Sequence, residues 1–204
     1  MMDRPLLLVG CGKMGGAMLE GWLEMGLPPE QIHIIEASAH IAEELRGRGL
    51  SAVVAQPELP ADLDPEIVLF AVKPQSMDEV ASALAEYLSP NTTFLSIAAG
   101  KTISYFENIL GAEAAIVRSM PNTPAAVRRG ITVATPNTNV TEAQCEICGN
   151  LLEAVGGVAW VDDEGLIDAV TALSGGGPAY VFLLTECMTQ AGIDAGLPAE
   201  LSAQ

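Results

Sequence analysis

The sequence predicts an α/β fold, a doubly wound and mostly parallel sheet followed by the start of an all-helical unit. Three observations carry that expectation. Short apolar runs alternate with segments of helical spacing along most of the chain, the pattern of successive βαβ units. The first run, residues 6–9, is apolar at every position, as a strand covered on both faces requires. It leads through Gly10-Cys11-Gly12-Lys13-Met14-Gly15 into a helical segment over 17–25, which places a G-x-G-x-x-G turn between strand and helix.

That turn names a ligand class. Gly10 permits the tight turn, Gly12 lets backbone approach a pyrophosphate, and Gly15 lets the helix sit close to the strand. The N–H groups of the first helical turn have no partner within the helix and face the phosphates with the positive end of the dipole. The second strand, 32–35, is followed by Glu36, about 20 residues beyond Gly15, where a carboxylate pairs with the adenosine ribose 2′-hydroxyl. That placement favours NADH, whose 2′-hydroxyl is free. Ser38 is placed to cap a helix over 39–48 or to donate to ribose or phosphate.

The remaining elements follow in the same rhythm. Strands are expected at 51–54, 67–71, 93–97 and 114–117, which with the first two complete a six-stranded Rossmann-type sheet. Ser76-Met-Asp-Glu79 reads as a capping box opening a helix to about Tyr87, and residues 103–110 as another helix. Strands near 131–134 and 158–161, with a helix opened by the Thr141-Glu-Ala-Gln144 box between them, extend the sheet. The domain reading is a dinucleotide-binding unit over 1–163 and the beginning of a helical dimerisation and substrate unit over 164–204.

Composition excludes several classes. Half of the 204 residues are hydrophobic and 17% are charged, which argues against disorder. A net charge of −17 repels nucleic acid and anionic membranes. No run of 18 apolar residues occurs, and Asp3 and Pro5 interrupt any signal-peptide pattern, so the expected location is cytoplasmic. Cys11, Cys145, Cys148 and Cys187 form no disulfide framework. The C-x-x-C of Cys145 and Cys148 lies in a predicted helix without a second pair or a nearby histidine, so no metal site is expected. His33 falls in a strand and His40 at a helix start, both read as structural.

In such sheets ligands bind beyond the carboxyl ends of the strands. The loops there are Ala71-Val72-Lys73-Pro74, then Ala98-Ala99-Gly100 with residues small enough for a flat ring to approach, then Arg118-Ser119-Met120-Pro121-Asn122-Thr123-Pro124, stiffened by two prolines. A fourth segment, Ser174-Gly175-Gly176-Gly177-Pro178, reads as a glycine run feeding an apolar helix from Ala179 to about Ala191. Pro178 suits its first turn, and the exposed N–H groups are expected to hold a substrate carboxylate.

Taken together, Gly10-x-Gly12-x-Met14-Gly15, Ala71-Val-Lys-Pro74, Ser96-Ile-Ala-Ala-Gly100, Arg118-x-Met-Pro-Asn-Thr-Pro124 and Ser174-Gly-x-Gly-Pro-Ala-Tyr180 resemble the Δ1-pyrroline-5-carboxylate reductases, in order and over the whole chain. The resemblance implies NAD(P)H-dependent reduction of a cyclic imine to L-proline, the last step of proline biosynthesis, by a homodimer or higher homo-oligomer. It implies that Gly10 to Gly15, Ser38, Ala71 to Pro74 and Ile97, Ala98 and Ala99 hold the cofactor, NADPH in many members. Met120, Pro121 and Asn122 lie near nicotinamide and substrate, with Ser174, Gly175, Gly176 and Gly177 on the substrate side. No general acid or base is named, because a protonated imine is already electrophilic.

The chain departs from the family pattern at three places. Gly176 replaces a serine, Glu36 stands where a small or neutral residue is usual, and members continue beyond Gln204 through the loop that grips the substrate carboxylate. The chain is therefore expected to bind cofactor but reduce imine poorly. Two other readings stay open: a related reductase or dehydrogenase acting on another imine or a hydroxy acid, and a nucleotide-binding module without chemistry.

Overall fold

The computed structural model describes residues 2–204. Eight strands form one sheet in the order β3-β2-β1-β4-β5-β6-β7-β8. They are β1 (Leu6–Val9), β2 (Ile32–Ile35), β3 (Ser51–Val53), β4 (Ile67–Phe70), β5 (Thr93–Ser96), β6 (Ala115–Met120), β7 (Gly130–Pro136) and β8 (Gly156–Trp160). Neighbouring strands from β3 to β6 are parallel; β7 runs antiparallel to β6, and β8 parallel to β7. The helices are α1 (Lys13–Glu24), α2 (Ala39–Gly47), α3 (Met77–Leu84), α4 (Ile103–Leu110), α5 (Glu142–Glu153), α6 (Leu166–Val170), α7 (Gly177–Asp194) and α8 (Ala199–Ser202).

Alternation along the strands builds two cores. Leu6 and Leu8 point with Ile32 and Ile34 toward Met18, Leu19 and Trp22 of α1, Leu45 of α2 and Leu151 of α5. Leu7 and Val9 point the other way, with Phe70, toward Leu84 of α3 and Phe106 of α4. Leu6, Leu7 and Leu8 are fully buried, and each such side chain contributes about 1.5–3 kcal/mol relative to exposure. Phe106 stacks on Phe70 at 5.4 Å between centroids. The buried Trp22 indole donates to the Leu151 carbonyl at 2.8 Å, which joins α1 to the end of α5.

Most of the predicted elements form within a residue or two at each end, and four expectations need correction. Helix α1 begins at Lys13 rather than Ala17, so the fingerprint's last residues already lie inside it. Strand β6 continues to Met120 because its polar residues Arg118 and Ser119 find partners within the fold. The Ser76 capping box does not form. Pro74 opens a 3-10 turn over Pro74–Ser76, so Ser76 already has helical dihedrals, and its side chain makes no cap bond. The Thr141 box does form, with Gln144 N–H donating to Thr141 Oγ1 and Thr141 N–H to Gln144 Oε1.

The fourth correction is the glycine run. Leu166–Asp194 is one continuous helical stretch, and Thr171–Gly175 is a π turn within it. Gly176 N–H donates to Thr171 O at 2.9 Å, so the run is not a free helix start holding an anion on unpaired N–H groups. The turn is wide enough to absorb Pro178, which has no N–H to offer. Cys145 and Cys148 lie in α5 as expected. The Cys148 thiol is fully buried and pushed well above its ordinary value by desolvation, and all four cysteines are free thiols.

Candidate dinucleotide and substrate site

The register of the parallel strands aligns one row of residues across the sheet: Val53, Ile35, Val9, Phe70, Ser96 and Arg118. The next residue on each strand from β2 to β5 is a predicted site residue. These are Glu36, Gly10, Ala71 and Ile97, held in line by Glu36 N–H to Val53 O at 2.9 Å, Gly10 N–H to Ile35 O at 2.8 Å, Ala71 N–H to Val9 O at 2.8 Å and Ile97 N–H to Phe70 O at 3.2 Å. Strand order reverses between β1 and β4, and in open sheets of this kind ligands bind at the carboxyl ends of the strands at such a switch point.

The glycine loop is shaped by contact. Gly10 has φ +92, which favours glycine, and a Cβ there would sit 2.9 Å from Val72 Cγ1. A Cβ on Gly15 would run into the Gly10 carbonyl oxygen and lie 3.2 Å from Ala71 Cβ. Gly12 differs from both: its φ is −71 and nothing lies within 4 Å of a Cβ built on it. Its side-chain space is therefore open, and no protein group explains the glycine. No side chain caps α1, so its first N–H groups look into the same opening. This open cradle at a helix N-terminus fits a dinucleotide pyrophosphate.

Glu36 is buried, and both carboxylate oxygens are oriented by backbone. Oε2 accepts from Cys11 N–H and Oε1 from Ser38 N–H, each at 2.8 Å. The carboxylate thus ties the glycine loop to the start of α2. Ser38 Oγ accepts from Ile41 N–H at 3.5 Å as the α2 cap, a long bond that leaves the hydroxyl available to a ligand. The Cys11 thiol is pushed up to about 11 by burial, then by Glu36, so it stays neutral at ordinary pH. Six of the protein's cations pair with carboxylates. Lys13 in the glycine loop and Lys73 in the loop after β4 have no carboxylate partner among the described residues, and both are exposed.

The second group of expected site residues is built on one face of β6 and its continuation. Arg118, Met120 and Asn122 alternate along it, and each meets the helical stretch after β8. Arg118, almost fully buried, donates to Glu164 at 2.8 Å and Asp168 at 3.0 Å. Glu164 Oε1 also accepts from Ile103 N–H at 2.8 Å at the start of α4. The Arg118 Nε is buried without a partner, an arrangement that costs about 1–3 kcal/mol. Gly175 lets the turn rest on Met120, since a Cβ there would sit 2.9 Å from its methyl.

Asn122 Nδ2 donates to Ser174 O at 3.1 Å, while its Oδ1 accepts from Ile131 N–H at 3.0 Å. Pro178 explains that bond: without an N–H four residues on, the Ser174 carbonyl has no α-helical donor, and Asn122 supplies one. The Asn122 amide is therefore engaged at both ends by the fold, and it ties the π turn to β7. Pro121 is buried beside it, Ala98 is buried, and Ala99 is exposed at the loop after β5. Ala98 N–H donates to Ser96 Oγ at 3.2 Å, which fixes that loop. Sequence reasoning had not singled out Arg118, Glu164 and Asp168 for a role of their own; the acidic pair four residues apart after a strand was the available signal.

Comparison with known proteins agrees with this geometry. A family profile described as NADP oxidoreductase coenzyme F420-dependent matches residues 6–100, and one described as pyrroline-5-carboxylate reductase dimerisation matches residues 164–204. The chain is similar to the pyrroline-5-carboxylate reductase of Pseudomonas aeruginosa, 42% identical over 205 residues, covering 100% of this chain and 74% of that protein. The solved structure of a pyrroline-5-carboxylate reductase from Coxiella burnetii superposes with TM-score 0.91 at 31% identity, covering 99% of this chain and 75% of the other. That of the Plasmodium falciparum pyrroline carboxylate reductase with NADP bound gives 0.85 at 31%, covering 100% and 74%. Prephenate dehydrogenase from A. aeolicus, at 20% identity and TM-score 0.71, shares the fold alone. The chain belongs to the pyrroline-5-carboxylate reductase family.

Proposed function

We propose that this protein reduces 1-pyrroline-5-carboxylate to L-proline with NAD(P)H, the closing step of proline biosynthesis. The observation that carries the reading is the row of Glu36, Gly10, Ala71 and Ile97 at the carboxyl ends of β2, β1, β4 and β5, with the open Gly12 position after β1 and Met120 against Gly175 at the end of β6. The cofactor-binding residues are Gly10, Cys11, Gly12, Lys13, Met14 and Gly15, with Glu36, Ser38, Ala71, Val72, Lys73, Pro74, Ile97, Ala98 and Ala99. The substrate lies toward Met120, Pro121, Asn122 and Ser174 to Gly177.

When bound, the reduced nicotinamide supplies hydride to the imine carbon. The chain's own residues hold and orient: the glycine loop and α1 receive the pyrophosphate, Glu36 the ribose, and Ala98 and Ala99 leave room for a flat ring. No histidine or cysteine at the site acts as acid or base, because a protonated pyrroline nitrogen already polarises the carbon, and proximity and water exclusion supply the rest. The units are taken as 1–163 for the nucleotide and 164–204 for substrate and self-association. We read the exposed apolar surface of α7 as the place where copies meet in a homo-oligomer, and take the protein to be cytoplasmic as its family resemblance implies.

On cofactor choice the reading favours NADH used at least as well as NADPH. A carboxylate fixed at Glu36 repels a 2′-phosphate, and the next arginine is Arg46, at the far end of α2 and paired with Glu43. A dehydrogenase of related architecture acting on a hydroxy acid would place a lysine and an asparagine on its first long helix after the nucleotide unit; α7 carries neither. Initial rates of NADH and NADPH oxidation with pyrroline-5-carboxylate test the proposal. Imine-dependent oxidation supports it, and cofactor binding without turnover in the intact protein overturns it in favour of a binding module.

A further inference from the structure

Resting on the reductase reading above, we propose that Arg118 and Glu164 are positioning residues for imine reduction: they set where the π turn stands relative to the loops that receive the nicotinamide. Three elements meet at this pair. Arg118 lies on β6 in the register row that ends beside the cofactor loops, and its guanidinium reaches Glu164 and Asp168. Glu164 in turn accepts from Ile103 N–H, the first residue of α4 and the continuation of the Ala98–Gly100 loop. Asp168 lies three residues before the π turn begins.

One carboxylate thus joins the loop after β5, the strand that carries Met120, and the helix that carries Ser174 to Gly177. The far side of the same turn is held by Asn122 through Ser174 O. The π turn is bracketed by two polar clamps four residues apart, Arg118 on β6 and Asn122 just past its end, with Met120 against Gly175 between them. A buried guanidinium with an unpartnered Nε is a poor choice for stability alone, since an apolar side chain of similar volume fills such a site as well or better. Its geometry, two separate carboxylates from one fork, is what a flexible or apolar residue cannot reproduce. Neither residue touches substrate in this scheme. A shift of the turn changes the distance between hydride donor and imine carbon, and rate is sensitive to displacements of about 1 Å there.

The test uses the intact protein with Arg118→Met, Arg118→Lys and Glu164→Gln. Glu164→Gln keeps an oxygen for Ile103 N–H and removes the charge. The expected result for Arg118→Met and Glu164→Gln is a fall in kcat of about tenfold or more with cofactor Kd within about twofold of the unsubstituted protein. With 4-deuterated cofactor the kinetic isotope effect on kcat increases, and Arg118→Lys recovers part of the loss. In parallel, amide hydrogen exchange of residues 171–176 quickens while that of β1 and β4 is unchanged. Folded variants with unaltered kcat, isotope effect and exchange overturn the proposal, as does a matching loss of cofactor affinity, which would make the pair part of the nucleotide fold. If the unsubstituted protein turns over no imine, the reductase reading falls, and the exchange measurement still decides whether the pair holds the turn.

Discussion

Helices α1 and α7 are both rich in apolar residues and live in opposite environments. Met18, Leu19 and Trp22 of α1 are at most 2% exposed, whereas Tyr180, Val181, Phe182, Leu183 and Leu184 of α7 are each 59% exposed or more. The difference lies in pattern. On α1 the apolar residues form a stripe, and Glu20 and Glu24 stand outside it. On α7 five consecutive large apolar side chains encircle the helix, so no single neighbouring surface covers them. The first helix completes a core inside one chain; the second calls for cover from more than one side, consistent with the dimerisation profile that spans it.

The largest expected effect comes from breaking that second surface. Replacing Phe182 and Leu184 together with Glu should dissociate the homo-oligomer and lower imine reduction about a hundredfold or more, roughly 2.7 kcal/mol in the barrier, while cofactor affinity stays within twofold. Light scattering alongside turnover reads it. An assembly of unchanged mass would mean that α7 is covered by something other than its own copies.

The first surface is probed at Gly12. Because a Cβ there meets no protein atom and φ is ordinary, Gly12→Val should fold normally and still weaken cofactor binding at least tenfold, about 1.4 kcal/mol, by occupying the pyrophosphate's place. Calorimetric titration measures it, and a folded variant with full affinity would move the dinucleotide off this loop. A smaller change is expected at Glu36. Two like charges about 4 Å apart repel by about 1 kcal/mol even in bulk water, and Glu36 is buried, so Glu36→Ser should shift the ratio of catalytic efficiencies toward NADPH by about fivefold or more. A ratio that does not move excludes Glu36 as the ribose ligand.

The smallest effect concerns β2, next to the edge strand β3. Burial lowers the His33 pKa below its ordinary value, and its ring nitrogen lies 3.2 Å from Ser51 Oγ on β3. A folded-state value below the unfolded one means that stability is fully present above the unfolded value near 6.5 and is lost as pH falls through the folded one. His33→Asn should therefore flatten the acid limb of a thermal-denaturation series. An identical limb in both proteins would place the acid sensitivity elsewhere.

The nucleotide half was legible because its signals are local. Strand, turn and helix succeed one another within residues 6–24, and the register then aligns Glu36, Gly10, Ala71 and Ile97 without further information. The substrate half was less legible because its structure depends on distant partners. Three glycines and a proline read as a loop, yet Asn122, 52 residues away, supplies the donor that Pro178 lacks and keeps the segment helical. Arg118 and Ser119 looked like the end of a strand until Glu164, Asp168 and the Ser96 carbonyl satisfied them inside the sheet. Ser76 failed as a cap for a nearer reason, a proline two residues upstream that had already started the turn.

The unpaired lysines Lys13 and Lys73 act against the charge of the whole chain. A dinucleotide diffusing toward a protein of net charge −17 meets repulsion at long range. Lys13 and Lys73 reverse that field only nearby, over a distance comparable to the screening length of about 8 Å at physiological salt. Moderate salt, which weakens the distant repulsion before it reaches the close contacts, is therefore expected to speed the encounter rather than slow it.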